Sequence, residues 1–281
     1  MIINKNNSNN INDIGLIFSE SPIARGYLQL FINKYYIKNK IVILDYKPPF
    51  WKLYLKIKFN LFFKNTLNYL KSNRVLKFVR NVEDYFELDK NFLLQMYNFE
   101  NLLKFENISF SSHPKINNEK NIFFLKNLKE QNFLNTLNIK FKNVFESKKN
   151  FFHIHPGYMY KVRGADGTLN SIKHYNEIGA TFYKMNEKID KGNIIKRYKK
   201  EFKKIKFLEH SYFDDKALYN IWFSFFDPAL RVFLLKKIID EQSVLDQFLE
   251  INQNLEVNNY YSYIDKNELR GLFENKIIDK N

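Results

Sequence analysis

The sequence predicts an α/β fold: a Rossmann-like, mainly parallel sheet flanked by helices, followed by a mainly helical C-terminal extension. Three observations predict it. A short apolar strand, a capped amphipathic helix and a second β-branched strand follow one another within residues 14–46, and so compact a β-α-β unit implies parallel strands with helices on the sheet faces. Short apolar runs bounded by turn residues then recur to about residue 207. From 208 onward the hydrophobic pattern turns helical. Residues 1–12 read as a polar, frayed tail without the apolar centre of a signal peptide, 13–207 as the α/β core and 208–281 as the extension.

In chain order, "IGLIFSES" (14–21) is the first strand. In "SPIARGYLQLFINKYY", Ser21 is placed to cap a helix whose first position is Pro22, with Ile23, Tyr27, Leu30 and Phe31 as its apolar stripe. "NKIVILDY" (39–46) is the second strand. Residues 50–112 read as mainly helical. "NIFFLKN" (121–127) reads as a strand and "QNFLNTLN" as the helix after it. "KNFFHIHPG" (149–157) is a strand that Pro156 and Gly157 end abruptly. "ADGTLNSIKHYN" starts a helix at Asp166, "IGATFYKM" (178–185) alternates as a strand, and "EKIDKGNI" is a turn in which Gly192 can take a positive φ. "NIIKRYKKEF" (193–202) reads as a charged edge strand. The C-terminal pattern is helical with an interruption at Pro228.

Composition narrows the function classes. With 29 Phe and 18 Tyr in 281 residues the core must be largely aromatic, and the absence of Cys excludes disulfides and thiolate metal sites. The longest apolar runs are far shorter than the roughly 20 residues a membrane-spanning helix needs. The net charge of +15 would suit a polyanionic partner. However, Lys, Asn, Ile, Phe and Tyr all have A/T-rich codons and the lysines are spread along the whole chain, so composition bias is taken as its main source. The densest cluster, "KRYKKEFKKIK" at 196–206, reads as a solvated strand face. No G-x-G-x-x-G follows the first strand, so a dinucleotide fingerprint is absent.

The chemistry concentrates at His153 and His155, two of only five histidines. In an open parallel sheet ligands bind beyond the carboxyl ends of the strands. Period two puts both rings on one face, with His155 at that rim. Three readings stand: a hydrogen-bonded pair without function, a metal pair, or an acid–base group, since a neutral imidazole can both take and give a proton. No metal is expected, because no Cys exists and no nearby Asp or Glu has a helical ligand spacing.

The stretch "HIHPGYMYKVRGADGTLNSIKHYNEIGATFYKMNEKIDKGNII" (153–195) resembles the signature region of the folate-dependent formyltransferases. There, Asn-x-His, a turn, Arg-Gly, a helix, a Gly-x-Thr strand and Asp-x-Gly-x-Ile follow in that order. The family's His falls on His155, its Arg-Gly on Arg163 and Gly164, its Gly-x-Thr on Gly179 and Thr181, and its Asp on Asp190. The resemblance implies formyl transfer from the cosubstrate 10-formyltetrahydrofolate to a primary amine. It implies His155 as proton carrier and oxyanion contact, and Asp190 as the carboxylate that orients it. It further implies folate contacts at Lys126, Asn127 and Leu128, in the loop after "NIFFL", and at Ile189, and substrate contacts at Arg163, Gly164 and Tyr160. Two positions depart from the pattern. His153 stands where the family has Asn, so either an imidazole does the amide's work at the oxyanion or activity is impaired; the retained His155, Asp190 and Arg163-Gly164 favour the former. Tyr160 stands where the family often has Pro. Tyr212 and Trp222 could stack on a sugar or base, but core packing is the simpler role.

Within that family the C-terminal part indicates the acceptor. The purine-pathway enzyme is essentially the core alone, and the methionyl-tRNA enzyme adds a β-barrel, whereas residues 208–250 read as helical here. A nucleotide-linked amino sugar is therefore the expected acceptor, which by analogy implies surface polysaccharide synthesis in a cytoplasmic setting. A homodimer stays open as the assembly. A methionyl-tRNA-type enzyme, a catalytically impaired binding protein that uses its basic surface for nucleic acid, and a formyltetrahydrofolate hydrolase are the alternatives.

Overall fold

A computed structural model describes residues 13–44, 64–111, 116–137, 141, 144–145, 149–207, 210–241 and 259–279. The polar tail, part of the 50–112 stretch and residues 242–258 of the extension lie outside the described residues. The elements run β1 (Gly15–Phe18), α1 (Pro22–Asn33), β2 (Ile41–Ile43), α2 (Lys64–Tyr69), α3 (Asn73–Tyr85), α4 (Phe92–Gln95), β3 (Ile108–Phe110), α5 (Glu119–Lys126), β4 (Asn132–Asn135), β5 (Asn150–His155), β6 (Arg163–Gly164), α6 (Gly167–Tyr175), β7 (Glu177–Lys184), β8 (Ile194–Glu201), β9 (Ile205–Lys206), α7 (Asp215–Ile221), α8 (Asp227–Asp240), β10 (Tyr260–Tyr261), α9 (Lys266–Leu272) and β11 (Ile278–Asp279).

Seven strands form one sheet in the order β3-β2-β1-β4-β5-β7-β8. The first five are parallel, and β7 and β8 are antiparallel additions at one side. The sheet is thus mainly parallel and flanked by helices, as expected. Its strand order reverses between β1 and β4, and at such a switch point a crevice opens beyond the strand carboxyl ends. The opening unit forms as the sequence dictates. The Ser21 side chain accepts from the Ala24 N–H at 3.2 Å with Pro22 in the first turn. Every residue of β1 and β2 is buried, as central parallel strands require.

Several expectations are corrected. The "NIFFLKN" run is not a strand but helix α5. Asn118 caps it by accepting from the Lys120 N–H, and only Asn121 and Leu125, one turn apart, are buried, while Phe123 is 71% exposed. The "QNFLNTLN" run is not a helix: its centre is strand β4, buried along its whole length between β1 and β5. Its asparagines are satisfied inside, Asn132 Oδ1 by the Asn150 amide and Asn135 by the Leu137 backbone. Strand β3 lies in a stretch expected to be helical. Gly192 does not take a positive φ; Asp190 does, at 52°. Gly192 is needed instead because a Cβ there would lie 1.7 Å from the Lys184 carbonyl oxygen.

Pro228 does not interrupt the C-terminal helix. A π turn (Trp222–Phe226) joins α7 to α8, and Pro228 sits in the first turn of α8, where its missing N–H costs little. The described part of the extension is mainly helical, as expected, and packs onto the core: α8 lies against α1 and β7. Two short strands of the extension also pair with the core, β10 with β6 and β11 with β9. Trp222 is core, donating to Thr168 Oγ1 at 3.0 Å, whereas Tyr212 is exposed under the Arg74 guanidinium.

Candidate active site

Strand β5 ends at the carboxyl rim beside the switch point. A cavity of ≈ 370 Å³ opens there, lined among others by Thr136, His153, His155, Gly167, Asp227 and Arg231. That volume lies within the range of small-molecule sites, roughly 300–1,000 Å³. A smaller pocket of ≈ 70 Å³ shares His153, Ile189 and Asp190 with it and continues past Asn135, Leu137, Phe141 and Met185.

His155 and Asp190, 35 positions apart in the chain, meet here. Register with β7 sets His155 opposite Thr181, and its Nδ1 lies 3.7 Å from Asp190 Oδ1. Its Nε2 is buried with no partner among the described residues. Gly157 and Gly167 flank that atom: a Cβ would come within 2.9 and 3.3 Å of it, respectively. Asp190 stands in the left-handed region, tolerated best by Asp and Asn among residues with a Cβ. Its Oδ2 accepts the Gly164 N–H at 3.2 Å and its Oδ1 the Tyr183 hydroxyl at 3.1 Å.

The electrostatics give the two groups complementary states. Burial pushes the His155 imidazole below its ordinary value, partly opposed by Asp190. Burial alone would raise the Asp190 carboxyl, but His155, His153, the Gly164 N–H and the Tyr183 hydroxyl together hold it below the usual range. At neutral pH this is a carboxylate facing a neutral imidazole. An Nδ1–H turned toward the carboxylate leaves the Nε2 lone pair free to take a proton.

His153 lies on the same side of β5. Its Nδ1 is 2.9 Å from the Asn135 carbonyl oxygen and its Nε2 3.4 Å from Arg231 Nη1. Burial first, and the Arg231 cation second, push its imidazole down to about 4. Arg231 also donates from Nε to Asp227 Oδ2 at 2.8 Å and from Nη1 to the Ile154 carbonyl. Asp227 Oδ1 is buried without a partner among the described residues.

Other expected residues are placed differently. Gly164 and Ile189 line the cavity, and Tyr260 of the extension donates to the Ile189 carbonyl. Arg163, expected as a substrate contact, is 1% exposed and lines neither cavity. Tyr160 packs beside Met159, to which it is joined by a cis peptide, with the Arg197 guanidinium 5.2 Å from its ring centre. It lines neither cavity. Lys126, Asn127 and Leu128 are not brought to the site. They precede β4 and so lie at its amino end, and β4 runs parallel to β5, whose carboxyl end carries His155. The residues of that strand that do reach the rim are Asn135 and Thr136, just at its carboxyl end.

Sequence reasoning missed Asp227, Arg231, Thr136 and Asn135, and read Asp166 only as a helix start. Asp227 and Arg231 had a signal: an Asp and an Arg four apart in the otherwise apolar "DPALRVFLL". Such a pair on a buried helix must face inward together. Asp166 accepts from the Tyr219 hydroxyl at 2.8 Å and the Ile264 N–H at 2.9 Å, which fastens the extension to the rim. Among the described residues no group of His, Asp and Glu could hold a metal ion, and no helix is long and apolar enough to cross a membrane.

No protein-family model matches the chain, and no curated protein matches it by sequence. Solved structures similar to it include these three. An N-formyltransferase from Helicobacter canadensis, in complex with folinic acid and dTDP-3-aminofucose, is 18% identical, covering 90% of this chain and 72% of that one, with a TM-score of 0.49. WlaRD, a sugar 3N-formyltransferase with dTDP and 5-N-formyl-THF, is 16% identical over 90% and 72%, with a TM-score of 0.46. Rv3404c from Mycobacterium tuberculosis is 13% identical over 55% of this chain, which spans 63% of that protein, with a TM-score of 0.38.

Proposed function

We propose that this chain is a folate-dependent formyltransferase that moves a formyl group from 10-formyltetrahydrofolate to the amino group of a nucleotide-linked amino sugar. The observation that carries the reading is the pairing of His155 with Asp190 at the sheet's carboxyl rim, in a stretch whose motif order resembles that family throughout 153–195. The donor fits the residues present. Leu137, Phe141 and Met185 line the small pocket beside His153 and Asp190, and such an apolar wall suits the face of a flat ring. Bound there, a formyl-folate supplies the formyl carbon and leaves as tetrahydrofolate with a proton on its nitrogen, so that amine plus formyl-folate gives formamide plus tetrahydrofolate.

The chain's own groups handle the proton and the charge. Asp227 Oδ1, a buried carboxylate oxygen with no partner among the described residues, suits an N–H of the entering amine. As the new C–N bond forms, His155 Nε2 takes the proton the amine sheds, and the carboxylate of Asp190 stabilises the resulting imidazolium. The same imidazolium can return that proton to the departing nitrogen. General acid–base help of this kind contributes about 10²- to 10⁴-fold.

The hydrolase reading uses the same Nε2 with water as acceptor. One experiment separates the two: incubate the protein with 10-formyltetrahydrofolate and a panel of amines, including dTDP-amino sugars, and read mass gain and formate release. Formylation of an amino sugar, abolished in His155→Ala, supports the proposal. Formate release that no amine diverts assigns hydrolysis instead. A methionyl-tRNA acceptor is disfavoured because the described part of the extension is helical rather than a barrel.

A further inference from the structure

Both ring nitrogens of His153 are committed. The group facing Nδ1 is a backbone carbonyl, which can only accept, so Nδ1 carries the proton. A neutral ring protonated on Nδ1 has a lone pair on Nε2, and the group facing Nε2 is Arg231 Nη1, which can only donate. His153 therefore has no N–H left to offer a ligand, so it cannot do the work of a donor amide at this position.

The cavity nonetheless needs one. Its described lining includes three carboxyl groups, Asp166, Asp190 and Asp227, and a single Lys or Arg, Arg231. Among the described lining Arg231 is the Lys or Arg that can oppose negative charge developing among three carboxyls. Arg231 is fixed in position to meet it, because Asp227 and the Ile154 carbonyl hold its guanidinium and the residue is 7% exposed.

We propose that Arg231, reaching in from α8, is the group that supports negative charge at this rim, and that His153 is a positioning residue that anchors the guanidinium through its Nε2 lone pair. The proposal rests on the formyl-transfer reading for the identity of the charge, the oxygen of the transferred formyl group. The arrangement of the two side chains stands apart from that reading. His153 faces Arg231 from α8, Asp190 from the loop after β7, the Tyr183 ring, nearly perpendicular to its own, from β7 and His155 from its own strand. Its burial and the Arg231 cation both favour the neutral ring.

The test is ¹⁵N NMR of the histidine rings in the full-length protein, together with kinetics of Arg231→Gln, Arg231→Lys and His153→Ala. In the wild type, His153 should show the Nδ1-protonated neutral tautomer at pH 7 and resist protonation well below pH 6. In Arg231→Gln, its titration should move up because the neighbouring cation is gone. Arg231→Gln should lower kcat by about 10²- to 10³-fold with a much smaller change in KM, Arg231→Lys should restore part of the loss, and His153→Ala should lose less than Arg231→Gln. An Nε2-protonated His153 in the wild type would overturn the proposal even if every variant misfolded. So would an Arg231→Gln enzyme with full kcat. Absence of formyl transfer by the wild type to any amine would instead overturn the functional reading, and the tautomer would still decide the arrangement.

Discussion

Asp190 holds the centre of the site in a backbone conformation that few residues accept. Its φ of 52° turns the carboxylate back under His155, while the Gly164 N–H and Tyr183 hydroxyl fix its two oxygens. Asp190→Asn keeps the shape but removes the charge that supports an imidazolium. We expect kcat to fall by about 10²- to 10⁴-fold, with an unchanged circular dichroism spectrum; a variant within threefold of wild type would contradict the role. The pH dependence follows from the shift at His155. Because its imidazole is pushed down, the base form dominates at neutrality, so kcat should be flat around pH 7 and fall only as acid protonates the ring below its ordinary range. His155 and Asp190 were legible because both sit in one ordered motif. Arg231 was not read: its spacing from Asp227 was a signal, but its other partners, His153 and Ile154, lie on β5, far away in sequence.

Among the elements, helix α8 delivers the Asp227–Arg231 pair into the rim. The burial of both side chains makes the pair costly to break, since either partner alone is a buried charge. Asp227→Ala should destabilise the fold by about 3–5 kcal/mol, read as a lowered urea midpoint; a loss under about 1 kcal/mol would mean that water reaches the site freely. Strand β6 imposes a different constraint. Gly164 has a φ of 89°, and a Cβ there would lie 2.3 Å from the Tyr261 carbonyl oxygen. Gly164→Ala should therefore unseat β10 and cost at least about 1–3 kcal/mol of strain. The opening β-α-β unit was legible because cap, proline and apolar stripe agree locally. The exchange of strand and helix at α5 and β4 was not. Both runs are short, and which one is buried on two faces is decided by β1 and β5 rather than by local pattern.

Across the molecule, the extension completes the site rather than merely covering it. Tyr260 holds the Ile189 carbonyl, Ile264 binds Asp166, and β10 pairs with the Arg163–Gly164 strand. Deleting residues 259–279 should lower the melting temperature and abolish turnover, while leaving a folded core detectable by circular dichroism. Stability should also depend on pH. His153 ordinarily titrates near 6.5 but near 4 when folded, so the unfolded chain binds the proton first as pH falls. The stability this provides is complete above about 6.5 and lost progressively toward 4. A denaturation midpoint constant across that window would contradict a ring held neutral in the fold.

The proposed chemistry turns on His155, oriented by Asp190, carrying a proton during formyl transfer to an amine. Mass spectrometry can follow a dTDP-amino sugar incubated with 10-formyltetrahydrofolate and either the wild type or His155→Ala. The sugar should gain one formyl group with the wild type and none at matched times with the variant. Equal formylation by both proteins would show that His155 carries no proton in the reaction.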